Sequence, residues 1–312
     1  MKVNEQWVRQ WVDPDKSIDE LVEQLTMAGL EVDALDNLGD EFSGVVIGQV
    51  VDMAPHPDAN KLRVCQVDDG TERYQVVCGA PNVEPGMKVP FARVGARLPG
   101  GVAIGEAALR GVDSFGMLCG GSELGLSDDD SGLLCLPDDA PLGATMQEWL
   151  GLPDHVIELD ITPNRGDCFS VLGIARELAV INRSPLQIPV VDAVAAEVDD
   201  AMPVSVQAEA QCPRYCSRIV RGVDMSRPSP LWLQERLRRA GLRAIDPVVD
   251  VTNYIMLELG QPMHAFDLDK LSGGIVVRTA DSGESLELLD GQALELQEDS
   301  LLIADAVSYT HL

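Results

Sequence analysis

The chain has 312 residues, 46% hydrophobic and 24% charged, and carries a formal net charge of −28. That apolar content over two or three domain lengths excludes a disordered chain, and the excess of carboxylates excludes wholesale binding of polyanions. No apolar run reaches the ~18–20 residues of a membrane helix. The start Met1-Lys2-Val3-Asn4-Glu5-Gln6 lacks the apolar stretch of a signal peptide, so a cytoplasmic chain with no membrane role is expected.

In chain order, the first clear element is a helix over 17–29. Ser17-Ile18-Asp19-Glu20 fits a capping box, Ile18, Leu21, Val22 and Leu25 share a face, and Gly29 suits the C-terminal end. From Gly44 the period changes to short valine-rich runs at Gly44–Met53, Lys61–Asp68, Thr71–Cys78 and Met87–Arg93, and frequent Gly and Pro continue to about Leu136. This pattern predicts a small all-β barrel or sandwich, with Asp69-Gly70 as a tight type I′ hairpin turn. A second helix is predicted at Val171–Asn182, capped by Ser170. A third follows Ser229 as cap, with Pro230 as first helical residue, Leu233 and Leu237 inward and Gly241 at the end. Pro189–Asp200 reads as a linker, and strand-like runs return at Arg218–Val223, Val248–Thr252, Gly274–Arg278 and Ser300–Ile303.

The seven cysteines, at 65, 78, 119, 135, 168, 212 and 216, are odd in number. Only Cys212 and Cys216 are close, and the further ligands of a zinc site do not follow, so buried free thiols and no metal site are expected. Charge is uneven: residues 98–213 hold 4 basic and 19 acidic side chains, whereas 214–243 hold eight arginines against Asp224 and Glu235. The bland reading is a solvated surface; the alternative is a local basic face.

Three motifs carry more. The first is His56-Pro57-Asp58-Ala59-Asn60-Lys61-Leu62-Arg63-Val64, continuing through Cys78-Gly79-Ala80-Pro81-Asn82 to Gly111-Val112-Asp113-Ser114-Phe115-Gly116-Met117-Leu118-Cys119. It resembles the tRNA-binding OB-fold domain of several synthetases and free-standing tRNA-binding proteins. OB barrels bind single strands on one sheet face and its loops, and Lys61, Arg63, Lys88, Arg93 and Arg97 are the candidate phosphate contacts. Gly120 stands where that family usually has serine. The second is Thr162-Pro163-Asn164-Arg165-Gly166-Asp167-Cys168-Phe169-Ser170, locally a turn and a helix start in which Arg165 and Asp167 read as a structural salt link. The third runs through Arg236-Leu237-Arg238-Arg239 and Asp250-Val251-Thr252-Asn253-Tyr254 to Gln261-Pro262-Met263-His264-Ala265-Phe266-Asp267. The last two resemble the beta subunit of bacterial phenylalanyl-tRNA synthetases, the third the start of its editing domain.

The resemblance implies an α+β multidomain fold: an all-β OB-fold tRNA-binding barrel (41–150) inserted in a small α/β module (1–40 plus 151–190). A linker (191–200) and a partial α/β editing domain (201–306) follow. Residues 307–312 do not match the family, and the chain is read as cut short inside the editing domain. The family attaches phenylalanine to its tRNA using ATP, as two alpha and two beta subunits; the ATP and Mg²⁺ sites would lie outside this chain. An apolar phenylalanine pocket rejects an added hydroxyl by only about 10²-fold, so a second site must hydrolyse tyrosine esterified to the tRNA. By resemblance, His264 and Asn253 would place the ester and water and Thr252 would line the site, with a tyrosine-reading glutamate further on. Two rivals remain: a free-standing OB-fold tRNA-binding protein without catalysis, and an autonomous editing hydrolase.

Overall fold

The computed structural model describes residues 1–39, 41–288 and 291–305, so the expected tail 307–312 lies outside the described residues. It is a mixed α+β chain in two compact units, Met1–Ile188 with Pro228–Pro262, and Pro189–Arg227 with Met263–Leu312. The segment 201–306, read from the sequence as one domain, is therefore shared between them.

The first unit begins with β1 (Lys2–Asn4), α1 (Glu5–Arg9), α2 (Ile18–Met27) and β2 (Glu31–Leu38). The capping box of α2 is formed: Glu20 N donates to Ser17 Oγ at 3.3 Å, and Ser17 N to the Glu20 carboxylate at 2.9 Å. Its inner face buries Leu21 and Leu25 completely.

Next come β3 (Ser43–His56), β4 (Ala59–Asp68), β5 (Arg73–Cys78), β6 (Lys88–Leu98), β7 (Val102–Ala103), β8 (Glu106–Leu109), β9 (Val112–Phe115) and β10 (Met117–Leu118). One sheet has the order β10-β6-β3-β4-β5, with β7 on β6; β8 and β9 form a separate hairpin. The continuous apolar run of β3 has a physical reason, since the strand is packed on both faces. Val46 and Val50 join Cys65, Val67, Val76 and Phe91 in one cluster, whereas Val45 and Ile47 join Ala92, Leu124, Met146 and Leu150 in another. The β4–β5 turn is wider than expected. Asp68 pairs with Arg73, so four residues, Asp69–Glu72, form the loop. The Asp69 carboxylate closes it by accepting from the amides of Thr71 and Glu72, both at 2.9 Å.

After α3 (Met146–Trp149), strand β11 (Asp154–Asp160) lies between β1 and β2, antiparallel to both. The chain thus leaves this small sheet after β2, builds the larger one, and returns to its centre. Trp7, Leu21, Leu25 and Leu30 share a core with Ile157, Leu159, Ile174 and Leu178. The last two lie on α4 (Val171–Asn182), capped as expected by Ser170, whose Oγ accepts from Gly173 N at 3.0 Å.

Two helices of the 228–262 segment complete the unit: α5 (Leu231–Arg239) and α6 (Pro247–Leu259). Leu233 and Leu237 are buried as expected, but Ser229 is not the cap of α5; its hydroxyl donates to Asp250 Oδ2. The expected strand at Val248–Thr252 is the first half of α6. Asp246 Oδ1 accepts from the amides of Val248 and Val249, and Pro247 fills the first helical position, which overrides the β preference of the valines. No strand forms at Arg218–Val223. In the second unit β12 (Val204–Val206) runs parallel to β13 (Ile275–Thr279), which is antiparallel to β16 (Leu301–Asp305). A hairpin of β14 (Ser285–Glu287) and β15 (Ala293–Glu295) lies between the last two in sequence. No helix among the described residues is long and apolar enough to cross a membrane.

Candidate functional site

The five expected tRNA-contact cations sit on β4 and β6 in unequal circumstances. Lys88 Nζ donates to the carbonyls of Asp138 and Ala140. Arg93 is paired at 2.5 Å with Asp69, which is fully buried. Burial opposes the charge on Asp69, but the amides of Glu72 and Thr71, the Thr71 hydroxyl and Arg93 hold its carboxyl down at about 2. These two cations therefore close the fold. Lys61 and Arg97 are exposed, and Arg63 Nη1 donates to the carbonyls of Asn60 and Leu62.

A further cation, Arg110, was not singled out by its sequence, although Leu109-Arg110-Gly111-Val112 carries a readable turn signal. It stands at the tip of the β8–β9 hairpin and donates to Asp58 O at 3.4 Å. Behind it His56 is buried, accepting at Nδ1 from Asp58 N (3.1 Å) and donating from Nε2 to Leu109 O (2.9 Å). The His-Pro motif thus locks a loop to a hairpin. Gly120 is closed in: a Cβ there would lie 2.3 Å from Gly132 O.

Of the expected editing residues, Thr252 and Asn253 share one turn of α6, in the first unit, and Thr252 Oγ1 donates to Val249 O. His264 belongs to the second unit. Its ring meets Phe266 edge-on at 4.3 Å, its Nε2 has no hydrogen-bond partner among the described residues, and burial lowers its pKa.

Six of the eight arginines at 214–243 have partners within the chain, but Arg218, Arg221 and Arg227 are exposed, so the solvated-surface reading holds for part of the run. Arg218 holds the carbonyls of Val194 and Ala195; Arg221 pairs with Asp200 and Arg227 with Asp224. Arg238 and Arg239 pair with Glu235, and Arg239 also with buried Asp154. Arg236 Cζ lies 5.1 Å from the Trp7 ring, 5.5 Å from Trp232 and 5.7 Å from Tyr254, a cation–π cluster tying α5 and α6 to α1. Arg165 bridges Asp167, Cys168 and Glu177, the structural link its sequence suggested.

Cys65, Cys78, Cys119 and Cys168 are buried, but Cys135 and Cys216 are exposed, so the expectation of buried thiols holds only in part. Burial pushes the Cys65 and Cys119 thiols up to about 12, leaving them protonated and inert.

The family model described as a putative tRNA binding domain matches residues 45–145, and the one described as a B3/4 domain matches 211–312. The similar proteins are subunits of aminoacyl-tRNA synthetases. The chain is 56% identical over 305 residues to a phenylalanine--tRNA ligase beta subunit of Hahella chejuensis, covering 98% of this chain and 39% of that protein. It is 57% identical to one of Pseudomonas fluorescens, over 98% of this chain and 38% of that protein. The chain is a homologue of the phenylalanine--tRNA ligase beta subunits, corresponding to their N-terminal portion and spanning about two-fifths of their length. Among solved structures, the C-terminal domain of Plasmodium vivax p43 aligns with 32% of this chain and 56% of that one, at 23% identity and a TM-score of 0.24.

Proposed function

We propose that this chain works as part of the beta subunit of a phenylalanine--tRNA ligase, in the cytoplasm and together with an alpha subunit in an α2β2 assembly. The observation that carries the reading is identity of 56% along 98% of the chain, with both domain matches in order. Residues 41–150 bind tRNA as a closed OB-fold barrel, inserted in the module made by 1–40 and 151–190. The antiparallel placement of β11 between β1 and β2, with one core drawn from both flanks, supports the insertion. The B3/4 match supports a share in hydrolysing tyrosine esterified to the tRNA, for which Thr252 and Asn253 in the first unit and His264 in the second are each candidates.

ATP and Mg²⁺ serve the whole enzyme through groups outside these residues. The one cluster of metal-ligand type among the described residues, Asp167, Cys168 and Glu177, does not fit Mg²⁺. A thiol is a poor ligand for that hard cation, and the Arg165 guanidinium already pairs with both carboxylates. The test is co-expression with an alpha subunit of this family. Co-purification of the two chains is expected, with no charging of tRNA by this chain alone, and a chain that binds tRNA but no alpha subunit would favour the free-standing binding protein.

A further inference from the structure

We propose that Arg110, Lys61 and Arg63 form an anion clasp at one rim of the tRNA-binding domain, which grips the phosphate backbone of tRNA; this rests on the tRNA-binding reading above. The hairpin tip supplies the first observation. Leu109 pairs with Val112, so Arg110 and Gly111 are the two residues of the turn, with φ of +46° and +81°. Turns of this kind favour Asn, Asp or Gly at the first position, because those residues tolerate a left-handed backbone. An arginine there keeps the strain without that compensation, and such strain collects where a side chain is needed for function.

Placement is the second observation. Arg110 Nη1 rests on Asp58 O at 3.4 Å, and Arg63 Nη1 on Asn60 O at 3.2 Å and Leu62 O at 3.1 Å. Asp58 and Leu62 are four residues apart, so the anchoring carbonyls belong to residues at most about 14 Å apart along the chain. Both guanidinium groups are anchored on the segment 58–62, which carries exposed Lys61 near the start of β4. Each contact uses one guanidinium nitrogen and leaves the other donors of the fork for an anion. Asp58 is the one carboxylate between His56 and Arg63.

Rigidity is the third. Through its two ring nitrogens, His56 ties the residue before Arg110 to the residue whose carbonyl Arg110 holds. On the other arm of the hairpin, Gln75 Nε2 donates to Asp113 O at 2.8 Å and Val77 N to Ser114 Oγ at 3.0 Å. The two arginines are therefore preorganised, and little ordering of them opposes binding. Lys88 and Arg93, by contrast, are held by internal partners.

The experiment is a fluorescence-anisotropy titration of labelled tRNA with the full chain at two salt concentrations. Arg110→Gln and Lys61→Gln are compared with Lys16→Gln, which removes the same charge from an exposed surface pair with Glu20. Each clasp variant is expected to bind about fivefold more weakly and to flatten the log–log salt slope by about 0.7–0.9, with Lys16→Gln changing neither. Thermal melts accompany the titrations, because Arg110 also contacts the backbone. Lys61 makes no such contact among the described residues, so Lys61→Gln decides the matter if Arg110→Gln melts early. Salt-dependent binding in which both clasp variants match Lys16→Gln would overturn the clasp and leave the tRNA-binding reading standing. No binding by the unaltered chain at low salt would overturn both.

Discussion

Asp154 is a single buried carboxylate that joins three stretches of chain. It accepts from Asn4 Nδ2 at 2.6 Å, from the amides of Gln6 and His155 at 3.2 and 2.8 Å, and from Arg239 Nη1 at 2.8 Å. Its side chain is fully buried and that of Arg239 is 6% exposed. Removing one partner of such a pair leaves a buried charge poorly compensated, so Arg239→Ala is expected to cost about 3–5 kcal/mol in urea unfolding. A loss below about 1 kcal/mol would mean that water reaches Asp154. This pair was not legible in the sequence. The arginines at 214–243 read as a surface feature because their partners, such as Asp154 and Gln10, are brought to them only by the fold. His264 was legible as a site candidate, and burial now gives it a sign. Its pKa lies below the ordinary 6.5, so it is neutral at pH 7. Because the unfolded chain takes up the proton more readily, the contribution of a neutral His264 to stability is present above 6.5 and is lost as pH falls through its lowered folded value. An NMR titration of the ring should give a midpoint below 6.5, and a midpoint above it would contradict burial as the dominant influence.

At the scale of elements, what could be read was what is determined locally. Ser17 and Ser170 marked helix starts because a cap depends on residues three positions away. Val248–Thr252 was misread as a strand although Asp246-Pro247, a cap followed by the preferred first residue, was present; the valines outweighed it in the reading but not in the molecule. The width of the Asp69–Glu72 turn was not legible, because the Asp69 carboxylate that shapes it is itself held by Arg93 from another strand. Gly48 belongs to the same class. Nothing local in β3 requires glycine there, yet a Cβ would lie 2.8 Å from Phe91 Cβ and 2.9 Å from Val67 Cγ1. At this point β3 lies between β6 and β4, which carry Phe91 and Val67 of one buried cluster. Gly48→Ala should therefore destabilise the chain by about 1–3 kcal/mol through overpacking, read as a lowered thermal midpoint. An unchanged midpoint would mean that Phe91 can move aside.

For the whole molecule, the proposed roles in binding and in correction should be separable by mutation. An apolar pocket that accepts phenylalanine excludes tyrosine by only about 10²-fold, so accuracy beyond that must come from a second site that recognises the hydroxyl. Hydrolysis of the tRNA ester is downhill, so orienting the ester and a water is the main demand on such a site. Thr252 and Asn253 on α6, and separately His264, are the residues proposed for this role. Among the described residues the Asn253 side chain makes no hydrogen bond and His264 Nε2 has no partner, so their loss should leave the fold intact. In the beta subunit assembled with its alpha partner, Asn253→Ala and His264→Ala are expected to slow deacylation of tyrosine from phenylalanine tRNA by about tenfold or more. That is a modest value for removing one positioned polar group. Charging with phenylalanine should change less than about twofold, because the apolar selection step is untouched. The two rates are measured on the same preparation, with tyrosyl-tRNA accumulation as a third readout that should rise in both variants. A parallel fall in charging and deacylation would move these residues from correction to assembly, and unchanged deacylation would place the hydrolytic groups elsewhere in the subunit.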